Sequence, residues 1–248
     1  MTLTSKQNII NAFDKAALTY DCCAHVQKNI ATNLAADLIK LKNTPGSILE
    51  IGCGTGFLTQ SLVSQFKDVP YYATDFAPLM VRSCQEKFKN IPKVHSFVMD
   101  GENPTLENNS DWICSSMAFQ WFEDFEVSVR KLWQKTNVLA FTVPVDGTFQ
   151  ELHDVYKQFN YSARFRPFIV ADTLYKLCRD LKPRNFQFQI QKEVEHFQNM
   201  LLFIKQLRNT GTQTPQSTYS QGNIRPLISY LSGGFSVTYQ VAYCILEK

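Results

Sequence analysis

Nine residues, Ile48 to Gly56 (ILEIGCGTG), leave the surrounding chain few ways to fold. The apolar run ending at Glu50 reads as a buried strand. Gly52, Gly54 and Gly56 then allow a tight turn and a close backbone approach to a ligand that a Cβ would block, with Cys53 as a small residue inside the turn. Leu58, Leu62 and Phe66 follow at four-residue spacing, so a helix begins behind the turn and aims its unpaired amides and positive dipole end at the same point. Strand, glycine turn and helix start together make a nucleotide-type cleft in an α/β sheet.

The spacing distinguishes cofactor classes. A dinucleotide fingerprint is G-x-G-x-x-G, whereas this chain has E-x-G-x-G-x-G. That pattern resembles the first motif of class I S-adenosylmethionine (SAM) methyltransferases, and the resemblance implies that Glu50 and the glycine turn hold the methionine end of SAM. Two further acids fall at strand ends. Tyr71 to Thr74 reads as a strand that delivers Asp75 and Phe76, and a carboxylate there can accept two hydroxyl hydrogen bonds from a ribose. Pro78 opens the next helix, whose inner face is Met80, Cys84 and Phe88, so Asp75 is a candidate helix cap and ligand at once. Val94 to Val98 reads as a third strand followed by Asp100, Gly101 and Glu102, where an acid can accept from an adenine amine and glycine lets the ring lie against the backbone. Glu50, Asp75 and Asp100 in register form a specific constellation. Ser116, at the end of a fourth strand from Trp112, joins the same set.

Residues Val26, Ile30, Leu34, Leu38 and Leu41 recur at helical spacing in an N-terminal helical segment, residues 1–43. After Ser116 comes an aromatic exit, Met117 to Phe122, then a helix with Phe125, Val129, Leu132 and Trp133 inward and a fifth strand from Asn137 to Val143. Repeated strand and helix imply a parallel sheet with right-handed crossovers. The rhythm then breaks. Residues 146–234 read as lid or substrate-binding insertions holding two short helices, a strand from Phe186 to Val194 and a helix with Leu201, Ile204 and Leu207 inward. Ser236 to Leu246 reads as an antiparallel edge strand closing the sheet. The expected fold is thus a single Rossmann-like domain over 1–248, mostly parallel, with an inserted helical lid.

At 248 residues one such domain accounts for the whole sequence, and a net charge of +3 does not argue for nucleic acid. No apolar stretch approaches a membrane span and the N-terminus lacks a secretory pattern, so a cytoplasmic monomer is expected. The seven cysteines form no C-x-x-C pair and no metal-ligand spacing, so no metal is expected.

Several stretches together are similar to the malonyl-acyl carrier protein O-methyltransferases of biotin synthesis: FDKAALTYDCCAHVQ (13–27), SSMAFQWFED (115–124), AFTVPVDGTFQELH (140–153), SARFRPF (162–168) and LRNTGTQTP (207–215). In place of that family's Pro-Gly-Gly turn before the fifth strand, this chain has Gln134-Lys135-Thr136-Asn137. The resemblance implies methyl transfer from SAM to the free carboxylate of a malonyl thioester on an acyl carrier protein or coenzyme A, leaving S-adenosylhomocysteine. It also implies that Tyr20 and Gln27 close over SAM.

That carboxylate is already ionised at neutral pH, so no general base is expected; proximity and desolvation carry the rate. Arg164 and Arg166 are the expected carboxylate clamps, since a guanidinium binds a carboxylate bidentately, and Gln120 and Trp121 the expected substrate-side contacts. Residues 164–208 hold nine Lys or Arg against four Asp or Glu, and within them Arg179, Lys182 and Arg184 are the expected docking face for an acidic carrier. The same rim could also serve a methyltransferase for another small carboxylic acid, quinone precursor or amine, or a protein that binds SAM without chemistry.

Overall fold

The computed structural model describes residues 3–105, 109–160, 167–212 and 225–248. Seven strands, β1 (Ile48–Ile51), β2 (Tyr71–Asp75), β3 (Val94–Val98), β4 (Ser110–Ser116), β5 (Thr136–Pro144), β6 (Asn185–Phe197) and β7 (Phe235–Glu247), form one sheet in the order β3-β2-β1-β4-β5-β7-β6. The first five pair in parallel, and β7 is antiparallel to both β5 and β6.

Two sequence expectations change here. β7 is not the edge strand: it lies inside the sheet, and β6 forms the edge. The reason is visible in burial, because Val241 to Leu246 is apolar and buried on both faces, whereas β6 stays partly or fully exposed along almost its whole length. Nor are residues 146–234 wholly a lid, since β6 belongs to the main sheet.

Alternation along the strands divides the core in two. Ile48, Tyr71, Trp112 and Val138 face one layer, packed by α3 (His25–Ile39), α4 (Phe57–Gln65), α7 (Gln150–Gln158) and α9 (Met200–Asn209). Leu49, Ile51, Ile113 and Leu139 face the other, packed by α6 (Phe125–Gln134) and α8 (Ala171–Asp180). In α9, Asn199 caps the helix by accepting the Leu202 amide at 3.0 Å, and Phe203 with Ile204 and Leu207 turns inward. Leu201, expected inside, is exposed.

At the N-terminus, α1 (Leu3–Ala16) and the short α2 (Tyr20–Cys23) lie over the C-terminal rim of the sheet. Asp14 of α1 accepts the Leu79 amide at 2.7 Å, in the first turn of α5 (Pro78–Phe88). A last helix, α10 (Arg225–Tyr230), precedes β7. No helix among the described residues is long and apolar enough to cross a membrane.

Candidate active site

Parallel register brings the strand tips together. Glu50 lies opposite Ala73 and Asp75 opposite Val98, while the Cys53 amide donates to Thr74 O and the Met99 amide to Asp75 O, each at 2.9 Å. Around these tips is a crevice of about 830 Å³, its open mouth included. Glu50, Gly52, Cys53 and Gly54 from the first turn line it, as do Asp75 and Phe76 from the second. Asp100, Gly101 and Glu102 supply the third side, and Ser116, Tyr20 and Gln27 complete the wall. Of the residues assigned to a cofactor from sequence, only Gly56 lies outside this wall. It is the left-handed N-cap of α4 (φ 93), and a Cβ there would meet Phe88 and Cys84. Gly52 (φ 73) has no room for a Cβ because Ala118 stands against it, whereas beyond Gly54 (φ 55) there is open space.

Each rim acid sits in a different electrostatic setting. Glu50 is buried and its Oε2 accepts from Thr59 Oγ1 at 2.5 Å and Tyr71 Oη at 2.7 Å. Desolvation outweighs those bonds and raises its pKa to about 7. Asp75 is raised to about 6, again by burial, although the amides of Ala77 and Gly54 donate to its two oxygens. Asp75 therefore braces the turn before α5, while Asp14 receives the helix amide itself.

Asp100 moves the other way. Burial alone would raise it, but the Lys6 ammonium at 2.6 Å and the Glu102 amide hold it below its ordinary range. Lys6 also pairs with Glu102 Oε2 at 3.0 Å, and Glu102 Oε1 accepts the amides of Glu123 and Asp124 at 2.8 and 3.1 Å. Glu102 is thus both a wall residue and the anchor of the turn before α6. Sequence reasoning missed Lys6, which lies 94 positions from its partner Asp100; only the helical i, i+3, i+7 spacing of Lys6, Ile9 and Phe13 in α1 hinted at a face turned inward.

A second cavity, of about 790 Å³ by the same measure, adjoins the first. Phe13, Tyr20, Gln27, Met117 and Trp121 belong to both walls. Phe13 and Trp121 meet edge to face at 5.4 Å. Beyond them the second cavity is lined by Gln120, Phe149, Phe168, Leu207 and Tyr239, and no Lys, Arg, Asp or Glu stands among its described lining residues. Arg164 and Arg166, the expected clamps, lie outside the described residues.

Arg179, Lys182 and Arg184 are exposed but are not brought to this rim. The Arg184 amide donates to Glu247 O, and Glu247 pairs with Val138 near the start of β5, so the cluster lies at the opposite end of the sheet. A docking role that delivers a substrate to the crevice does not fit that position.

Strand order, glycine turn and rim acids are those of a class I SAM-dependent methyltransferase. Residues 48–136 match the methyltransferase domain family. The plantazolicin methyltransferase BamL, solved with SAH, superposes with a TM-score of 0.57 at 16% identity, covering 99% of this chain and 97% of that one. The malonyl-[acyl-carrier protein] O-methyltransferase of Priestia megaterium is 31% identical over 237 residues, covering 88% of this chain and 86% of the relative. The protein of the same name from Magnetococcus marinus is 34% identical over 243 residues, covering 92% and 87%. The chain belongs to the malonyl-[acyl-carrier protein] O-methyltransferase family.

Proposed function

We propose that the first cavity takes SAM and the second takes a malonyl thioester, whose free carboxylate is converted to a methyl ester in the first committed step toward a biotin precursor. The observation that carries this reading is the shared wall: two adjoining cavities of similar size, one lined by acids and glycines and one by aromatics, have Tyr20, Met117 and Trp121 in common.

The residues present fit SAM. Gly54 leaves free space where a backbone-hugging ligand would lie, and Glu50, Asp75 and Asp100 suit an ammonium, a ribose diol and an adenine amine in turn. When bound, SAM supplies a sulfonium methyl group that an ionised carboxylate takes by direct displacement, leaving S-adenosylhomocysteine. Glu50 offsets the cofactor's positive charge. Tyr20 and Trp121 exclude water from the seam between the cavities, and the apolar wall around Phe149 and Phe168 leaves the nucleophile poorly solvated. Fixed geometry of the two ligands can supply about 7 kcal/mol or more without an acid or base. Arg164 and Arg166, in the segment running into Phe168, are the proposed carboxylate clamps.

Incubation with methyl-labelled SAM and malonyl-acyl carrier protein, malonyl-coenzyme A or free malonate tests the reading. Ester formation on a malonyl thioester is the expected result. Transfer only to unrelated acceptors, or tight SAM retention without turnover, overturns it.

A further inference from the structure

The second cavity has hydrogen-bonding capacity that a carboxylate cannot use. Gln120 Nε2 donates to Met117 O at 2.7 Å, which fixes the direction of the amide and leaves Oε1 as its open position. That oxygen is buried and has no partner among the described residues. Gln27 Oε1 is in the same condition, on a side chain 9% exposed in the wall between the cavities. Both open atoms are acceptors. An ionised carboxylate is acceptor-only too, so neither glutamine oxygen can hold the group that is methylated. What each needs is an N–H or O–H donor, because a buried carbonyl oxygen without one is costly.

A malonyl group on sulfur has no such donor. Its carrier arm does: in coenzyme A and in acyl carrier proteins alike, the thiol belongs to a pantetheine arm, an aliphatic chain interrupted by secondary amides. Phe149, Phe168, Leu207 and Tyr239 offer a wall suited to the aliphatic part. The wall is also held firmly. Met117 (φ 54) and Phe149 (φ 60) adopt left-handed backbone that disfavours side chains, and both are pinned by backbone hydrogen bonds, Met117 N to Thr142 O and Phe149 N to Thr238 O.

We propose that Gln120 and Gln27 accept hydrogen bonds from the amide N–H groups of the thioester's carrier arm, so that the second cavity recognises the arm and not the diacid alone. This rests on the malonyl thioester reading above and names the residues that set its specificity.

Three small substrates separate the cases: malonyl-pantetheine with two amides, malonyl-N-acetylcysteamine with one, and S-butyl malonyl thioester with none. For the parent protein kcat/KM is expected to fall about tenfold for each amide engaged by a glutamine and then lost. In Gln27→Met and Gln120→Met the ratio of malonyl-pantetheine to S-butyl rates should shrink by about the same factor, whatever the absolute rates. That ratio is insensitive to a general loosening of Met117, which would slow all three substrates alike. Equal rates for the three thioesters in the parent, or unchanged ratios in both variants, overturn the inference while leaving the thioester reading intact. No transfer to any of the three while malonyl-acyl carrier protein is still methylated overturns the inference alone; no transfer to any malonyl thioester, carrier-bound or small, overturns the thioester reading and the inference with it.

Discussion

The Gly54 amide donates to Asp75 Oδ2 across 2.9 Å, so the acid at the tip of β2 holds the glycine turn that follows β1. With Ala77 on the other oxygen, the Asp75 carboxylate ties three segments of the rim together before any ligand arrives. Ribose recognition, on this arrangement, uses lone pairs that remain after the scaffold is built.

The glycines should separate stability from affinity. Gly52→Ala forces a Cβ against Ala118 and into a left-handed backbone, and should cost more than about 2 kcal/mol of stability in chemical denaturation. Gly54→Ala meets nothing in the protein, so its folding cost should stay at about 1 kcal/mol while SAM affinity, followed by calorimetry, drops at least tenfold.

Glu50 should trade stability for cofactor binding. Its folded pKa of about 7 lies above the ordinary 4.5, so stability linked to its proton is fully present below the ordinary value and is lost as pH rises through about 7. At pH 8 that loss is on the order of 3 kcal/mol. Glu50→Gln keeps the acceptor for Thr59 and Tyr71, and should raise the ligand-free melting temperature at pH 8 by several degrees, a gain that disappears at pH 4. The same variant should weaken SAM binding at pH 8. Binding to the parent should tighten from pH 5.5 to 7.5 and release protons, detectable by titration calorimetry in buffers of different ionisation enthalpy.

Lys6→Met removes the ammonium that joins Asp100 and Glu102 to α1. Both pairs are partly exposed, so the loss of stability should be about 1 kcal/mol. Asp100 is lowered in the folded state, so its stabilisation holds above the ordinary carboxylate value and is lost as pH falls through the lowered one. The variant should lack that acid-side dependence, and SAM should dissociate faster in a stopped-flow displacement experiment because α1 is less firmly held.

Arg164→Ala should lower kcat/KM for a malonyl thioester by tenfold or more, at about 1.5–3 kcal/mol for a charge-assisted hydrogen bond, while the dissociation constant for SAM stays within twofold. Steady-state kinetics paired with calorimetry reads both quantities, and equal turnover by variant and parent removes the assignment.

The rim was legible because strand tips are local in sequence: an apolar run followed by Glu50, Asp75 or Asp100 points at one edge of a parallel sheet. Placement across the chain was not. Arg179, Lys182 and Arg184 look like a single basic face by proximity in sequence, yet the antiparallel pairing of β6 with β7 sets them at the end of the sheet opposite the rim. Lys6 joins the site only through α1 packing, which no short-range pattern encodes. The internal position of β7 did leave a trace: the unbroken run VAYCIL belongs to a strand covered on both faces, while FQFQIQ in β6 alternates as an edge strand does.

β7 is made after β6 yet sits between β6 and β5. During translation, β5 and β6 therefore wait with open hydrogen-bonding edges and a gap one strand wide, the condition in which nascent chains snare one another or a chaperone. A stop codon before Phe235 would leave every rim residue encoded and the sheet split in two, so such a product should be cleared or aggregate instead of lingering as a weak enzyme.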